Sequence, residues 1–307
     1  MARILRTETR KSLLVYGPEG FLFWAMKIIK DVDVMSEYAE VWRKEGKIIA
    51  LVPTMGYFHE GHLSLIREAR KRGDILVVSI FVNPIQFGPK EDLNSYPRDL
   101  ERDKTLAKKE GVDVLFVPSE AQMYPSGYQT YVEVTKLTNH LCGLSRPGHF
   151  KGVTTVVAKL FNIVKPHLAF FGLKDYQQYL VVKRMVKDLN FPVKIIGCPI
   201  VRESDGLAMS SRNTYLTHEQ KTSALCLFRS LKIAQELVDK GERNVKKIID
   251  IISHFIRNHP FTEIDYIKIC DPETLEDLDE IKDKALLALA VKIGKARLID
   301  NTFLEVR

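Results

Sequence analysis

Residues 47–62 read KIIALVPTMGYFHEGH and combine an apolar run, a glycine-containing loop and the start of a helical pattern. The first part, 47–53, is a short apolar and β-branched run that ends at a proline, a pattern typical of a buried strand. A loop containing two glycines follows over 54–61, and we expect a helix over 62–72. The stretch therefore predicts one strand–loop–helix unit of an α/β protein.

The same alternation continues to about residue 201. Buried strands are predicted at 75–82, 112–117, 168–171 and 193–201, and helices at 154–164 and 176–189. The run at 75–82 is almost continuously apolar, as in parallel strands that are covered by helices on both faces. These elements predict a Rossmann-like, doubly wound parallel sheet of the α/β class, with ligands bound at the carboxyl ends of the strands.

Beyond residue 201 the pattern changes. A charged helical stretch over 218–258 precedes short strands at 264–270, 285–291 and 297–299, which predicts a second, smaller α+β domain. We expect three parts: an N-terminal extension over 1–25, a Rossmann-like nucleotide-binding catalytic domain over 26–200, and a C-terminal lid domain over 201–307. The extension is basic and is broken by glycine and proline, so neither a packed element nor a secretory signal is expected there.

Charge, apolar runs and cysteine spacing argue against several classes of protein. The chain has 307 residues and a formal net charge of +7, but its Lys and Arg residues are scattered, so we expect anionic small substrates and no nucleic-acid groove. The apolar runs are too short to span a bilayer, so no membrane association is expected. Four widely spaced cysteines argue against a zinc knuckle and fit the reduced thiols of a cytoplasmic protein.

The first chemical motif is a pair of histidines, His59 and His62, at the predicted strand-to-helix junction. Residues three apart share a helix face, and a helix N-terminus attracts phosphate. Two imidazoles there can donate hydrogen bonds as charge develops on phosphate oxygens, while Gly56 and Gly61 permit close approach of a nucleotide. A capping or packing role is the alternative. The zinc-protease pattern is excluded by spacing, because it needs histidines four apart.

Neutral amides and a lysine follow two other predicted strands. Asn83 and Gln86 come directly after 75–82 and could orient hydroxyls and a carboxylate, although Asn-Pro is also a plain turn. Lys174 follows 168–171 and could neutralise phosphate oxygens, with Gln178 one helical turn further along. Asp175 could simply cap that helix.

Three loops complete the set of candidate segments. The run GLAMSSRN at 206–213 places two hydroxyls before Arg212, which suggests a mobile phosphate clamp of the KMSKS type. The run SRPGHFKG at 145–152 is basic and glycine-rich, and we expect a flexible lid. Asp103, close to Asp99 and Glu101, could ligate Mg²⁺, or these carboxylates could form a solvated helix face.

Six segments, taken together and in order, resemble the pantothenate synthetase (pantoate–β-alanine ligase) family of the nucleotidyl-transferase superfamily. They are PTMGYFHEGH, SIFVNPIQFGP, SRPGHFKGVTTVVAKLFNIVKP, FFGLKDYQQ, DGLAMSSRN and ARLIDN. The resemblance covers the chain from Met26 to about Leu304. It implies a cytoplasmic homodimer that condenses pantoate with β-alanine, forms AMP and diphosphate from ATP with Mg²⁺, and passes through a pantoyl-adenylate.

The resemblance also implies roles for particular residues. ATP contacts are implied for Met55, Gly56, Tyr57, Phe58, His59, Glu60, Gly61, His62, Gly172, Leu173, Lys174, Asp175, Val201, Met209, Ser210, Ser211 and Arg212. His62 is the implied catalytic histidine, and we add His59, Lys174 and Arg212. Gln86 and Gln178 would hold pantoate, and Asn83 and Arg146 are further candidates for pantoate or β-alanine. Cys142 departs from the many members that have Glu there, so no role is carried over to it.

Two other functions remain open. An adenylyltransferase that releases a stable dinucleotide would use the same phosphate motifs, but the two glutamines favour a small polar acid as substrate. An RNA-binding protein related to tRNA synthetases would need an additional domain, and only about a hundred residues follow Val201.

Overall fold

A computed structural model describes residues 26–89 and 91–306, together with the backbone of 14–16 and 22–24. Its strands are β1 (Leu14–Tyr16), β2 (Leu22–Trp24), β3 (Lys27–Ile29), β4 (Ile49–Thr54), β5 (Ile75–Ile80), β6 (Val114–Phe116), β7 (Leu168–Gly172), β8 (Lys194–Cys198), β9 (Thr262–Cys270), β10 (Lys284–Ile293) and β11 (Ala296–Glu305). Its helices are α1 (Val32–Lys44), α2 (Glu60–Arg70), α3 (Leu100–Lys109), α4 (Glu120–Met123), α5 (Leu141–Ser145), α6 (His149–Val164), α7 (Tyr176–Asp188), α8 (His218–Asp239) and α9 (Val245–Arg257).

A six-stranded parallel sheet forms the centre of the first domain, in the order β3-β6-β5-β4-β7-β8. The strand order reverses at β4, which pairs with β5 on one side and with β7 on the other. In such sheets, the crevice at the carboxyl ends of the two strands that flank the reversal is the usual ligand site. The predicted Rossmann-like α/β fold is confirmed.

Both faces of this sheet are covered, which explains the nearly continuous apolar strands. Leu51 and Val77 pack on one face with side chains of α1, α6 and α7. Ala50 and Val78 pack on the other face with α2 and α3. Successive residues of a strand point to opposite faces, so a strand buried on both faces shows no polar alternation.

The second domain contains a three-stranded antiparallel sheet in the order β11-β10-β9. Helices α8 and α9 cover one face and form a separate apolar cluster with it. The other face packs against the first domain, where Leu286 and Ala288 meet Leu141 and Leu180. The predicted smaller α+β domain is confirmed.

The local structure differs from expectation in two places. Helix α6 begins at His149, so most of the predicted flexible lid over 145–152 is the end of α5 and the first turn of a packed helix. A Cβ on Gly152 would lie 2.5 Å from the carbonyl oxygen of Ile85, which shows how tightly this turn packs. Helix α1 was not anticipated, whereas α3 corresponds to the helix face that the carboxylates at 99–103 offered as an alternative.

The N-terminal extension also differs in part. Strands β1 and β2 form a short antiparallel pair where no element was expected. The rest of the segment 1–25 lies outside the described residues. Among the residues that the structure describes, no helix is both long enough and apolar enough to cross a membrane.

Candidate active site

A cavity of about 230 Å³ lies at the carboxyl ends of β4 and β7, where the strand order reverses. The structure brings most of the sequence-predicted site residues together in its wall. These are Met55, His59, Gly61, His62, Asn83, Gln86, Gly172, Lys174, Asp175, Gln178, Val201, Met209, Ser210, Ser211 and Arg212. Four loops therefore meet there, one after each of β4, β5 and β7 and one from the start of the second domain.

The two histidines cap helix α2 and line the cavity at the same time. The Nδ1 atom of His59 accepts a hydrogen bond from the Gly61 N–H at 3.1 Å, and the Nδ1 atom of His62 accepts from the His59 N–H at 3.3 Å. An imidazole nitrogen that accepts carries no proton, so in both neutral rings the proton is on Nε2. The rings stack with centroids 4.0 Å apart.

Burial keeps both rings neutral. Desolvation, followed by the nearby Lys174 charge, lowers the pKa of His59 to about 4. Burial, followed by the charges of His59 and Lys174, lowers the pKa of His62 well below its usual value. At neutral pH each ring therefore presents a neutral Nε2–H donor, which suits it to stabilise phosphate oxygens without transferring a proton.

The three amide side chains at this site differ in how many hydrogen bonds they already make. Asn83 has partners for both its nitrogen and its oxygen, whereas Gln86 and Gln178 can still bind a ligand. Asn83 donates to Gln86 Oε1 at 3.1 Å and to the Gly152 carbonyl at 3.0 Å, and it accepts from the Tyr124 hydroxyl at 2.7 Å. Asn83 thus orients Gln86, whose own Nε2 meets only the weak acceptor Met55 Sδ. Within the described residues, the Gln178 side chain has no hydrogen-bond partner.

Lys174 is placed by the second domain. Its turn follows β7, and Asn301 on β11 donates to the carbonyl oxygens of Leu173 and Lys174 at 3.0 and 2.8 Å. The ammonium group lies 3.9 Å from the Asp175 carboxylate, and the side chain is mostly buried. Lys174 therefore supplies a fixed positive charge beside the two histidines.

Arg212 and Arg146 each face a carboxylate from the loop that follows Gln86. Arg212 binds Asp92 through Nε at 2.9 Å and Nη2 at 2.8 Å. Arg146 binds Glu91 through Nε and Nη2, both at 2.6 Å. Such two-pronged pairs fix the planar guanidinium groups in position.

A second cavity of about 80 Å³ adjoins the first and shares Lys174, Gln178 and Arg212 with it. Arg146 lines this second cavity rather than the first. Arg146 Nη1 donates to His149 Nε2 at 3.0 Å, so the proton of His149 is on Nδ1, which donates to the Gln86 carbonyl at 2.8 Å. Burial, followed by the Arg146 charge, lowers the pKa of His149 to about 4.

The family model described as pantoate-beta-alanine ligase matches residues 27–303 of this chain. The chain belongs to the pantoate–β-alanine ligase family. It is 59% identical over 276 residues to the pantothenate synthetase of Syntrophus aciditrophicus (strain SB), a match that spans 90% of this chain and 96% of that protein. The pantothenate synthetase of Geobacter sulfurreducens is also 59% identical, over 279 residues, with 91% and 99% covered.

Solved structures of family members are similar throughout. Pantothenate synthetase from Thermus thermophilus gives a TM-score of 0.85 at 46% identity, with 90% of this chain and 99% of that chain covered. A pantoate–β-alanine ligase from Francisella tularensis, complexed with β-γ ATP and β-alanine, gives a TM-score of 0.76 at 37% identity, with 91% and 97% covered.

Five of the nucleotide contacts expected from the family resemblance do not line either cavity. Phe58 is fully buried in the core, and Glu60 faces outward in an ion pair with Arg67. The remaining three are Gly56, Tyr57 and Leu173. As nucleotide contacts these five residues stay predictions, and what the structure shows is that they shape the loops around the cavity.

The geometry does not support Asp103 as a magnesium ligand in this family member. Both of its carboxylate oxygens accept main-chain hydrogen bonds, from the N–H groups of Tyr57 and Phe58. Over the ranges that the structure describes, no group of three or more His, Cys, Asp or Glu side chains is arranged to hold a metal ion. The described residues therefore offer no ready cluster of three such ligands for Mg²⁺.

Sequence reasoning missed Glu91 and Asp92. They lie in an irregular segment with no helical or strand period, so no pattern placed them near the site. Their adjacency, shortly after a predicted amide loop, was the only available signal.

Proposed function

We propose that this chain is an AMP-forming ligase that joins pantoate to β-alanine through an amide bond, with a pantoyl-adenylate as intermediate. The observation that carries this proposal is the main cavity. Two neutral imidazole donors, Lys174 and Arg212 lie there beside the amides of Gln86 and Gln178, in a chain of the pantoate–β-alanine ligase family. A relative complexed with ATP and β-alanine supports the choice of substrates.

In the first step, a carboxylate oxygen of pantoate attacks the α-phosphorus of ATP, and the bond to the bridging oxygen of pyrophosphate breaks. Negative charge grows on the departing pyrophosphate. The Nε2–H groups of His59 and His62, with Lys174 and Arg212, are placed to stabilise that charge. The remaining hydrogen-bonding capacity of the Gln86 amide and the amide of Gln178, which is unpartnered among the described residues, hold the pantoate carboxylate and hydroxyls.

In the second step, the deprotonated amine of β-alanine attacks the acyl carbon, and the bond between that carbon and the AMP oxygen breaks. We assign the β-alanine carboxylate to the second cavity, where Arg146 provides a guanidinium group. Lys174 and Gln178 line both cavities, so a carboxylate bound in the second cavity would lie next to the adenylate that we propose for the first.

The remaining parts of the proposal concern the whole protein. We assign 26–200 as the catalytic domain and 201–307 as a lid that brings Ser210, Ser211 and Arg212 over the phosphates. Mg²⁺ enters with its substrate as MgATP, since this ion usually keeps several waters and binds phosphates. A homodimer and a cytoplasmic location follow the family resemblance, and four buried free cysteines suit a reducing compartment.

The test separates the two half-reactions. ATP and labelled pyrophosphate are incubated with pantoate alone, and β-alanine is then added. We expect pantoate-dependent exchange of label into ATP, and AMP release that needs both acids. Release of a stable dinucleotide without any requirement for β-alanine would instead identify an adenylyltransferase and overturn the proposal.

A further inference from the structure

A buried carboxylate lies directly beneath the histidine-bearing loop. Asp103, on helix α3, is 1% exposed. Its Oδ2 accepts from the Tyr57 N–H at 2.6 Å, and its Oδ1 accepts from the Phe58 N–H at 2.7 Å. Hydrogen bonds to a charged acceptor are stronger than neutral ones, so this carboxylate holds two consecutive peptide groups firmly.

The loop that Asp103 holds has an unfavourable backbone conformation. Tyr57 has a φ of +52°, in the left-handed region that L-residues with side chains seldom occupy. Gly56 precedes it with a φ of +83°, and a Cβ there would lie 3.0 Å from Asp103 Oδ2. The carboxylate therefore offsets a conformational cost and fits closely against the glycine.

This arrangement determines which groups remain for a nucleotide. The N–H groups of Tyr57 and Phe58 point at Asp103, and that of Gly56 points at Thr54 Oγ1, at 3.1 Å. Unlike a phosphate loop that cradles the ligand with its main chain, this loop delivers side chains. The next residue is His59, whose position is set by the two peptide groups that Asp103 fixes.

We propose that Asp103 is a positioning residue for adenylate formation, which holds the 56–58 turn so that His59 and His62 face the phosphates, and that it does not ligate Mg²⁺. This assignment rests on the proposed function. Three observations support it: the carboxylate is buried, both oxygens are engaged by main-chain donors, and the described residues contain no group of three or more His, Cys, Asp or Glu side chains that could hold a metal ion.

The test compares Asp103→Asn with the control Glu101→Gln, an exposed carboxylate on the same helix. Asn keeps the shape but offers one acceptor and one donor to two N–H groups. We expect kcat/KM for MgATP in the pantoate-dependent exchange to fall by roughly 10²-fold, the scale of a misplaced catalytic group. The Mg²⁺ concentration for half-maximal rate, and the attack of β-alanine on supplied pantoyl-adenylate, should stay unchanged.

A second substitution tests the mechanism of positioning. Glycine adopts a positive φ without the cost that a tyrosine has. In a Tyr57→Gly background, the loss caused by Asp103→Asn should therefore be smaller than in the wild-type background, as measured by the double-mutant cycle. An equal loss in both backgrounds would show that Asp103 does not act through the turn.

Two results would overturn the proposal. If Asp103→Asn needs a higher Mg²⁺ concentration in proportion to its loss of rate, Asp103 is a metal ligand. If Asp103→Asn loses the same fraction of the rate in both half-reactions and has a lower Tm, its role is only structural. Calorimetric titration with MgATP keeps this test separate from the proposed function. Even if the wild type shows no pantoate-dependent exchange, we expect weaker MgATP binding in Asp103→Asn alone, and equal binding would contradict the inference.

Discussion

His59 and His62 serve the fold and the site with different atoms of the same rings. The Nδ1 atoms cap helix α2, and the Nε2–H groups remain for a ligand. The sequence offered capping and phosphate binding as alternatives, whereas the geometry is compatible with both. A spacing of three residues predicts a shared face but not which ring nitrogen is engaged, because that depends on the main-chain N–H groups of the loop.

At this scale we expect Lys174→Ala and His62→Ala to lower kcat by roughly 10²–10³-fold, since each removes a donor to charge that develops on the phosphates. The loss in Tm should be small for Lys174→Ala and larger for His62→Ala, because only His62 also caps a helix. Steady-state rates and thermal unfolding measure both effects. Lys187→Ala, an exposed lysine on α7, is the control. Near-full turnover in either variant would remove that residue from the mechanism.

The lowered pKa of His59 also predicts how stability depends on pH. Between about 4 and the usual value of 6.5, an unfolded chain binds a proton at this position and the folded chain does not. Acid therefore favours the unfolded state, and the free energy of unfolding falls as the pH drops from 6.5 towards 4. We expect the free energy of unfolding, measured by denaturant at several pH values, to fall less between pH 6.5 and 4 in His59→Asn than in the wild type. Asn keeps a side chain that can cap the helix. Identical declines in both proteins would argue against a neutral buried His59.

At the scale of elements, the sequence was most informative where burial is continuous. Strands β4 and β5 were predicted within two residues of their observed ends because both faces of each are apolar. The last strand was predicted as 297–299, whereas β11 extends over Ala296–Glu305. Its polar residues Asp300 and Asn301 interrupt the apolar pattern, and they are buried because they bind Arg202 and the Lys174 turn. Because these hydrogen-bond partners lie far away in the sequence, no local pattern predicts that the two polar residues are buried.

Asn301 links β11 to the turn that carries Lys174, so Asn301→Ala should impair catalysis through Lys174. Two carbonyl oxygens lose their donor, which we expect to cost about 1–3 kcal/mol of stability and to lower kcat by roughly tenfold. Thr302→Ala, the adjacent position on β11, is the matched control. Exchange kinetics and thermal unfolding distinguish the outcomes. A lower Tm with unchanged kcat would show that the turn keeps Lys174 in place without Asn301.

At the scale of the whole molecule, the two domains meet at the cavity, and the fold places the site at their junction. A doubly wound sheet with a site at its strand ends could be anticipated from the alternation of strands and helices, but the position of the reversal at β4 could not. The carboxylates that pair with Arg146 and Arg212 could not be predicted from the sequence, because the loop that carries them has no helical or strand periodicity. The separation of contacting residues from loop-shaping ones, such as Tyr57, likewise required three-dimensional contacts.

Removal of residues 1–25 should leave both Tm and kcat unchanged. The family match begins at residue 27, and among the described residues the apolar core of the first domain begins at Ile29, with Met26 packed at its edge. Terminal segments that few contacts tie down are usually dispensable. Thermal unfolding and steady-state rates of the protein that starts at Met26 measure this directly, and a clear fall in either would reveal a structural role for the extension.

We propose that the carboxylate of pantoate is activated at the α-phosphorus of ATP. No G-x-x-x-x-G-K-[ST] loop is present in the sequence to cradle a transferring γ-phosphoryl group. His59, His62, Lys174 and Arg212 instead line one cavity, where we propose that they bind the departing pyrophosphate. Pantoate labelled with ¹⁸O in both carboxylate oxygens tests this claim most directly. After turnover with β-alanine, one labelled oxygen should appear in AMP and the other in the amide product. Label in inorganic phosphate, accompanied by ADP, would contradict the adenylate mechanism.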